Sequence, residues 1–380
     1  MATSNAFAGG SSEWTPSGGS TNWHSGSNWD NGVPSITTEA EIGASGNGTI
    51  SIGSTNANAD HLRLLNTATR NWTVNGTATL NLDTDQSGGT GYTVVNESNG
   101  YLLTINAPIN LSNGTAPGGD DSKFFASTGD ITVNGNINFN AVNPHVEASS
   151  GRTVTFNGAL SGASTVTKQG DGAWEIGGST GNTYSGGTVI NGGTVTLNKT
   201  SGNAIAGSSI TLNSGSLILN RDNQIGNSTD LTLAGGNFYA NDNSDALGSL
   251  TLSTTSTIDL GSDLGDGSTL NFSNSSGNAW TGDLYITGWN GDSEGGGLDQ
   301  VYFGNSSGGL TTSQVNSIYF VNPWGTTGIY EARILSSGEV VPVLPEPSTY
   351  AFGAFLIGAA YVFHRRQKKA AKPEASPDEG

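Results

Sequence analysis

The chain has 380 residues, 58 glycines, no cysteine and a formal net charge of −18. The lack of cysteine excludes disulfides, thiol catalysis and cysteine-ligated metals, and the acidity makes nucleic acid an unfavourable partner. Abundant Gly, Asn, Ser and Thr are also typical of disordered chains. Short β-branched and leucine-rich triplets nevertheless recur throughout, and 8 Trp, 10 Tyr and 12 Phe accompany them. We therefore expect a folded, all-β body.

The first 43 residues are expected to form two segments. Residues 1–8 end in an Ala-Phe-Ala tripeptide, which is typical of a signal-peptide cleavage site, although no apolar region precedes it. We interpret them as a signal-peptide remnant; the alternative is a chain that is not exported. Residues 9–43 contain Trp14, Trp23 and Trp29 and are predicted to cap the open edge of the first coil. A competing interpretation is that the three tryptophans form a platform for stacking sugars.

Residues 44–280 repeat with a period near 20. Leu212, Leu233, Leu252 and Phe272 are spaced 21, 19 and 20 apart, and each unit contains a bend, a short strand, a glycine turn and a second short strand. One unit cannot bury its own apolar side chains, but stacking units about 4.8 Å apart places equivalent leucines over one another. The spacing therefore predicts a parallel β-solenoid with almost no helix. Asn203, Asn223 and Asn243 are spaced 20 and 20 apart, so asparagines are also predicted to stack along the axis.

Part of this repeat region is similar to a known repeat. Residues 151–158, 165–176 and 182–198 resemble the passenger-associated repeat of autotransporter adhesins. The resemblance implies a right-handed parallel β-helix, used as a stalk. Residues 281–341, which include several aromatic residues, are predicted to form a short C-terminal β cap and linker.

The C-terminal residues carry a tripartite pattern. Pro345-Glu346-Pro347 precedes an uncharged apolar run over 350–363, which is followed by Arg365 and Arg366. A helix of 14 residues at about 1.5 Å each is shorter than the ~30 Å hydrocarbon core. It therefore suits a short transmembrane helix that is transient or processed, with its basic end in the cytoplasm.

This order of elements, over residues 342–369, resembles the PEP-CTERM sorting signal. The resemblance implies that Pro345, Glu346, Pro347, Arg365 and Arg366 are read by an exosortase-type enzyme. It also implies an inner-membrane intermediate and then a place on the surface, or in the extracellular matrix, of a Gram-negative-type bacterium. Residues 370–380 would be a cytoplasmic tail. The simpler alternative is an ordinary C-terminal anchor.

Aspartates are the candidates for chemistry. Asp259, Asp263 and Asp266 have Gly/Asp spacing that faintly resembles calcium turns. Further carboxylate pairs are suited to general acid–base work on polysaccharides; they are Asp83 with Asp85, and Asp120 with Asp121. The simpler interpretation of each group is a solvated turn.

No basic residue lies between Arg221 and Arg333, and the four histidines have neither zinc nor triad spacing. We therefore predict no catalytic residue, no cofactor and no metal. The predicted function is a non-catalytic exported surface or matrix protein, structural or adhesive, whose partners include extracellular polysaccharide. The alternative is a β-helix lyase or glycoside hydrolase that degrades polysaccharide.

Overall fold

The computed structural model describes residues 10–16, 18–83, 92–112, 122–140, 142–261 and 267–344. Within these residues the protein is almost entirely β-structure, as predicted. The strands are short because the sequence alternates buried apolar and outward polar residues for only three to five positions before a turn. In Thr153–Phe156, for example, Val154 and Phe156 are buried while the two threonines face outward.

The strands that precede residue 165 are β1 Ser11–Glu13, β2 Glu39–Ile42, β3 Thr49–Gly53, β4 Ala57–Ala59, β5 Leu62–Leu64, β6 Trp72–Gly76, β7 Leu80–Asp83, β8 Tyr92–Asn96, β9 Leu103–Ile105, β10 Ile109–Ser112, β11 Lys123–Ala126, β12 Ile131–Val133, β13 Ile137–Asn138, β14 His145–Ala148, β15 Thr153–Phe156 and β16 Leu160–Ser161.

The strands that follow are β17 Val166–Gln169, β18 Ala173–Ile176, β19 Thr188–Ile190, β20 Thr194–Leu197, β21 Ser209–Leu212, β22 Ser216–Leu219, β23 Asp230–Leu233, β24 Asn237–Tyr239, β25 Asp245–Leu247, β26 Leu250–Leu252, β27 Ser256–Asp259, β28 Thr269–Phe272, β29 Leu284–Thr287, β30 Gln300–Phe303, β31 Ile318–Val321, β32 Ile329–Ile334 and β33 Glu339–Pro342.

Helices in the described residues are short. The α-helix α1 spans Thr312–Val315, and Thr311 forms a capping box with Gln314 at its N-terminus. Single 3-10 turns occur at Gly26–Asn28, Ser307–Gly309 and Pro323–Gly325. The expectation of almost no helix in the body is confirmed.

Successive coils stack through parallel pairing, as in a β-helix. Face 1 is an eleven-stranded sheet in the order β1-β2-β5-β8-β11-β14-β17-β19-β21-β23-β26. Face 2 runs β3-β6-β9-β12-β15-β18-β20-β22-β24-β27-β29-β31, and every one of these neighbours is parallel. Face 3 is the five-stranded sheet β4-β7-β10-β13-β16. From β2 to β16 the chain therefore visits face 1, face 2 and face 3 in turn.

The core is a set of in-register columns between the faces. One column on face 1 is fully buried over ten coils. Its members are Ala40, Leu62, Val94, Phe124, Val146, Lys168, Ile190, Leu212, Leu233 and Leu252. Lys168 is the one charged member, and its Nζ donates to the carbonyls of Gln169 and Gly170 at 2.7 and 2.8 Å. Burial lowers the pKa of Lys168 to about 8.

The predicted stack of Leu212, Leu233 and Leu252 is confirmed, but Phe272 does not continue it. The partner of Leu252 in the next coil is Trp280, whereas Phe272 pairs with Leu247 and Phe303 on the third side of the coil. The reason is that the coil from Leu252 to Trp280 spans 28 residues, so a step of 20 residues from Leu252 stops at the third-side strand β28. Residues that are evenly spaced along the chain therefore do not all lie on the same face of the stack.

The N-terminal tryptophans lie inside the first coils. Trp14, Trp23 and Trp29 are at most 3% exposed, and Trp29 makes edge contacts with both others at 4.9 Å. The interpretation as a sugar-stacking platform is therefore wrong, because no ring face is open to a ligand. The same segment pairs with the first complete coil, since Ser11 aligns with Glu39 on face 1 and Asn22 with Ser51 on face 2.

The last strands close the stack differently. β31 pairs antiparallel with β32, β32 with β33, and β33 with β30. Trp289 is buried here between Phe320 and Trp324, with ring centroids 5.2 and 4.9 Å away. The described residues contain no helix long and apolar enough to cross a bilayer. The predicted transmembrane segment 350–363 lies outside them.

Candidate functional site

Most sequence-predicted site residues lie outside the described part of the chain. These are the sorting residues Pro345, Glu346, Pro347, Arg365 and Arg366, and the aspartates Asp85, Asp120, Asp121, Asp263 and Asp266. The proposed sorting role and the calcium turn therefore stay predictions.

The described members of those groups have structural partners. Asp259 ends β27, where its Oδ2 accepts from the Thr287 hydroxyl at 2.7 Å and its Oδ1 accepts from the Gly261 N–H at 3.0 Å. Asp83 ends β7 and is 9% exposed. Among the residues that the structure describes, no three His, Asp or Glu side chains converge as a metal site.

A carboxylate cluster that the sequence did not single out lies around Arg63 on face 1. The guanidinium is 2.6 Å from Glu97, 3.6 Å from Glu41 and 3.9 Å from Glu39. The cluster forms because Glu41 and Arg63 occupy paired positions on adjacent coils. Burial raises the pKa of Glu39 to about 8, although Arg63 opposes this rise.

This cluster is suited to holding coils together. Glu39 is 1% exposed, so a substrate cannot reach its carboxyl. Arg63 is already surrounded by three carboxyl groups, and two of its N–H groups donate to Glu97. A lyase or hydrolase needs its acid and base beside the substrate, and these groups face one another instead.

An uncharged polar surface begins on face 2. A threonine column aligns on five successive coils, and an asparagine ladder lies two residues further along each strand, on the same side of the sheet. The column is Thr49, Thr73, Thr104, Thr132 and Thr155. The face-2 ladder is Asn75, Asn106, Asn134 and Asn157, in which each amide Nδ2 donates to the preceding Oδ1 at 2.6, 2.7 and 2.8 Å.

A second ladder lies around the corner on face 3. Asn81 Nδ2 donates to Asn58 Oδ1 at 2.9 Å, Asn110 to Asn81 at 3.4 Å, and Asn140 to Asn110 at 3.0 Å. Asn138 aligns with Asn110 in the strand register. These bonds form because parallel, in-register coils bring identical outward side chains within reach of one another.

The corner between faces 2 and 3 is concave. A groove of about 340 Å³ lies there, lined on face 3 by Asn81, Asn110 and Asn138 and at the corner by Thr79, Pro108 and Asn136. Close stacking shapes this corner, since a Cβ on Gly135 would lie 2.0 Å from the Ala107 carbonyl oxygen and one on Gly158 would lie 2.0 Å from that of Gly135. Successive coils therefore approach one another closely at this corner, and the groove lining is drawn from several of them.

The groove offers hydrogen bonds without charge. Asn81 and Asn110 each use one N–H and one oxygen lone pair within the ladder, which leaves a second N–H and lone pair for a ligand. Asn140 differs, because its Nδ2 also donates to the Leu111 carbonyl. None of the lining side chains is charged, although the chain as a whole carries −18. The lining includes members of the face-3 ladder and none of the face-2 ladder. We define this groove, together with the two ladders on faces 2 and 3, as the amide corner.

Sequence reasoning predicted asparagine stacking but placed it elsewhere. The Asn203, Asn223 and Asn243 spacing gives no such ladder: Asn243 Nδ2, for example, donates to the carbonyls of Leu219, Ala240 and Asn241. A usable signal was a Thr-x-Asn triplet recurring on four coils, at 73–75, 104–106, 132–134 and 155–157. Irregular spacing between these triplets, caused by longer loops, concealed the repeat.

Comparison with known proteins gives one distant similarity. No protein-family profile and no solved structure matches the chain. The chain is similar to the adhesin BmaC autotransporter of Brucella suis biovar 1 (strain 1330), with 29% identity over 154 residues. That alignment covers 40% of this chain and 4% of the adhesin, so the chain spans only a small part of its relative's length.

Proposed function

We propose that this chain is a non-catalytic, exported surface protein whose stacked coils serve a structural or adhesive role. The observation that carries the proposal is the long parallel ladder of face 1 over an unbroken buried column, which makes a stable body with a large polar surface. The distant similarity to an autotransporter adhesin supports the same role. The described carboxylates support it too, because they make structural contacts with neighbouring coils.

Experiments on intact cells test this function, because it requires the protein to be exposed at the cell surface. In the bacterium that encodes the chain, antibody labelling and protease shaving of intact cells are expected to detect the body. A deletion strain is expected to lose adhesion or biofilm mass and to regain it with the full-length gene. Protection of the body from protease in intact cells, together with unchanged adhesion, would contradict the proposal.

Sorting through the C-terminal signal is the second part of the proposal. It is supported by the sequence order of Pro345-Glu346-Pro347, the apolar run and Arg365-Arg366. Changing Glu346 to Ala is expected to leave the body folded but to retain the chain, uncleaved, in the inner membrane. Mass spectrometry of the surface form decides the point, since a mature chain that still ends at Gly380 would mean a plain anchor.

The absence of catalysis is tested separately. The full chain, incubated with neutral and acidic polysaccharides, is expected to release neither reducing ends nor unsaturated products. Turnover that disappears in an Asp120→Asn or Asp263→Asn variant would instead favour the polysaccharide-degrading enzyme.

A further inference from the structure

We infer that the amide corner is a binding site for an extended, neutral polysaccharide chain that lies along the stack of coils. The inference rests on the proposed surface function and names its partner by chemistry. Three features of the corner support it: the amide ladders, the groove beside the face-3 ladder and the absence of charge in the groove lining.

The ladders supply matched donors and acceptors at a fixed repeat. Coils are about 4.8 Å apart, so the face-3 side of the groove presents, at Asn81 and Asn110, one free amide N–H and one free oxygen lone pair at that interval. Sugar hydroxyls are themselves both donors and acceptors, and a polysaccharide repeats them along its length. The face-3 ladder bonds, which measure 2.9 Å from Asn81 to Asn58, 3.0 Å from Asn140 to Asn110 and 3.4 Å from Asn110 to Asn81, hold these amides in place. Little side-chain entropy is therefore lost on binding.

The concavity selects a narrow chain over a flat surface. A planar lattice such as ice would touch the threonine column of face 2 but could not enter the corner beyond it. A single polymer chain fits along the groove, whose lining includes Asn81 and Asn110 on face 3 and Thr79 and Pro108 at the corner. A partner β-strand is disfavoured as well, because the backbone groups of β7, β10 and β13 are already paired with the strands on either side.

The charge pattern excludes acidic polymers. Binding of uronates, sulfated sugars or nucleic acid requires Lys or Arg beside the anion. No basic side chain lines the groove, and the net charge of the chain is −18. A neutral polymer meets neither repulsion nor the cost of stripping water from a charge.

Affinity electrophoresis of the full chain through gels that contain one soluble polysaccharide each tests the inference. The probes are neutral glucans, galactomannan and xylan, with polygalacturonate as the acidic comparison. We expect retardation by at least one neutral polymer and none by polygalacturonate. Asn110→Ala is expected to weaken the retardation about tenfold, since one or two hydrogen bonds are lost. Asn81→Asp is expected to weaken it at least as much, because it also places a charge in the groove.

The matched control is Asn213→Ala. Asn213 Nδ2 donates to Asn191 Oδ1 at 2.8 Å on face 1, so this variant breaks an equivalent amide pair away from the groove and is expected to bind like the parent chain. Equal binding by the Asn110 and Asn213 variants, binding of polygalacturonate alone, or no binding of any neutral polymer would overturn the inference. Inhibition of ice recrystallisation without polysaccharide binding would overturn it in favour of a flat lattice ligand.

These outcomes are separable from failure of the proposed function. If surface exposure and adhesion persist in the Asn110→Ala strain, the inference about the amide corner is contradicted and the proposed function is not. If the chain binds polysaccharide in vitro but never reaches the cell surface, the proposed function is contradicted and the inference about the amide corner is not.

Discussion

The coils before residue 165 and those after it close their third side in different ways. In the earlier coils, strands β4, β7, β10, β13 and β16 pair there as a regular sheet. Immediately after β16, that side is made by irregular backbone whose hydrogen bonds go to buried polar side chains. Asn182 accepts from the Leu160 N–H at 2.9 Å and donates to the Ala204 carbonyl. Further along, Asp245 accepts from the N–H groups of Gln224 and Ile225 at 2.7 and 3.0 Å.

This difference shows how a coil stack can lose a sheet without leaving backbone groups unpaired. The last face-3 corner carbonyl, that of Gly158, accepts from Lys199 Nζ at 2.9 Å. Lys199 is 1% exposed, and burial lowers its pKa to about 8. Asparagine side chains therefore have different structural roles in the two regions. They form exposed ladders over the earlier coils and replace a missing strand in the later ones.

The largest expected effect tests the column that both regions share. Replacing Leu233 by Asp buries a carboxylate with no cationic partner and is expected to cost about 4 kcal/mol or more. Thr232→Asp adds the same charge to the outward neighbour and is expected to cost less than about 1 kcal/mol. Thermal and urea unfolding measure both variants, and equal melting temperatures would show the register to be wrong.

The next largest effect on stability is expected from a substitution at the tight corner of the earlier coils. A Cβ on Gly135 would meet the backbone of Ala107 at 2.0 Å, and backbone cannot move aside as a flexible side chain can. We expect Gly135→Ala to cost about 3 kcal/mol. The control is Gly277→Ala, where a Cβ meets nothing within 4 Å. Urea midpoints compare the two, and a stable Gly135 variant would mean that the corner is looser than described.

The pH dependence of stability distinguishes the regions through one acid in each. Glu39 has a pKa raised to about 8 from 4.5 by burial, so between these pH values the folded chain holds a proton that the unfolded chain has lost. Stability therefore falls as pH rises through this window. Burial also raises the pKa of Asp245, to about 6 from 3.8, so its contribution is already lost by about pH 6.

Glu39→Gln is accordingly expected to stabilise the protein at pH 8 by on the order of 2–3 kcal/mol and to change little at pH 4.5. Unfolding free energies between pH 4.5 and 8 measure the effect. The slope between pH 6 and 8 is the decisive part, because Asp245 no longer contributes there. An unchanged slope in the variant would mean that Glu39 is ionised at neutral pH.

The smallest effects separate the two uses of asparagine. Asn182→Ala leaves the Leu160 N–H and the Ala204 carbonyl unpaired in a buried place, which is expected to cost about 2 kcal/mol. Asn157→Ala removes only the outermost bond of the exposed face-2 ladder, at 2.8 Å, and is expected to cost about 0.5 kcal/mol or less. Similar losses in both variants would show that the third side of the later coils does not depend on the Asn182 side chain.

The sequence by itself determined the β-solenoid architecture and the stacking of Leu212, Leu233 and Leu252. Those properties follow from local alternation and from a near-constant repeat, which are one-dimensional patterns. It also predicted asparagine stacking as a type of contact.

Only the tertiary structure decided which face each repeat occupies. Phe272 does not lie in its expected column because the coil from Leu252 to Trp280 is longer than the two coils before it. Trp14, Trp23 and Trp29 are buried by coil contacts that composition does not reveal. The amide corner needs Asn106 and Asn110 to lie on opposite sides of a bend, although they are four residues apart in the chain. Such a juxtaposition depends on where the chain turns and on how loops of unequal length bring successive coils back into register.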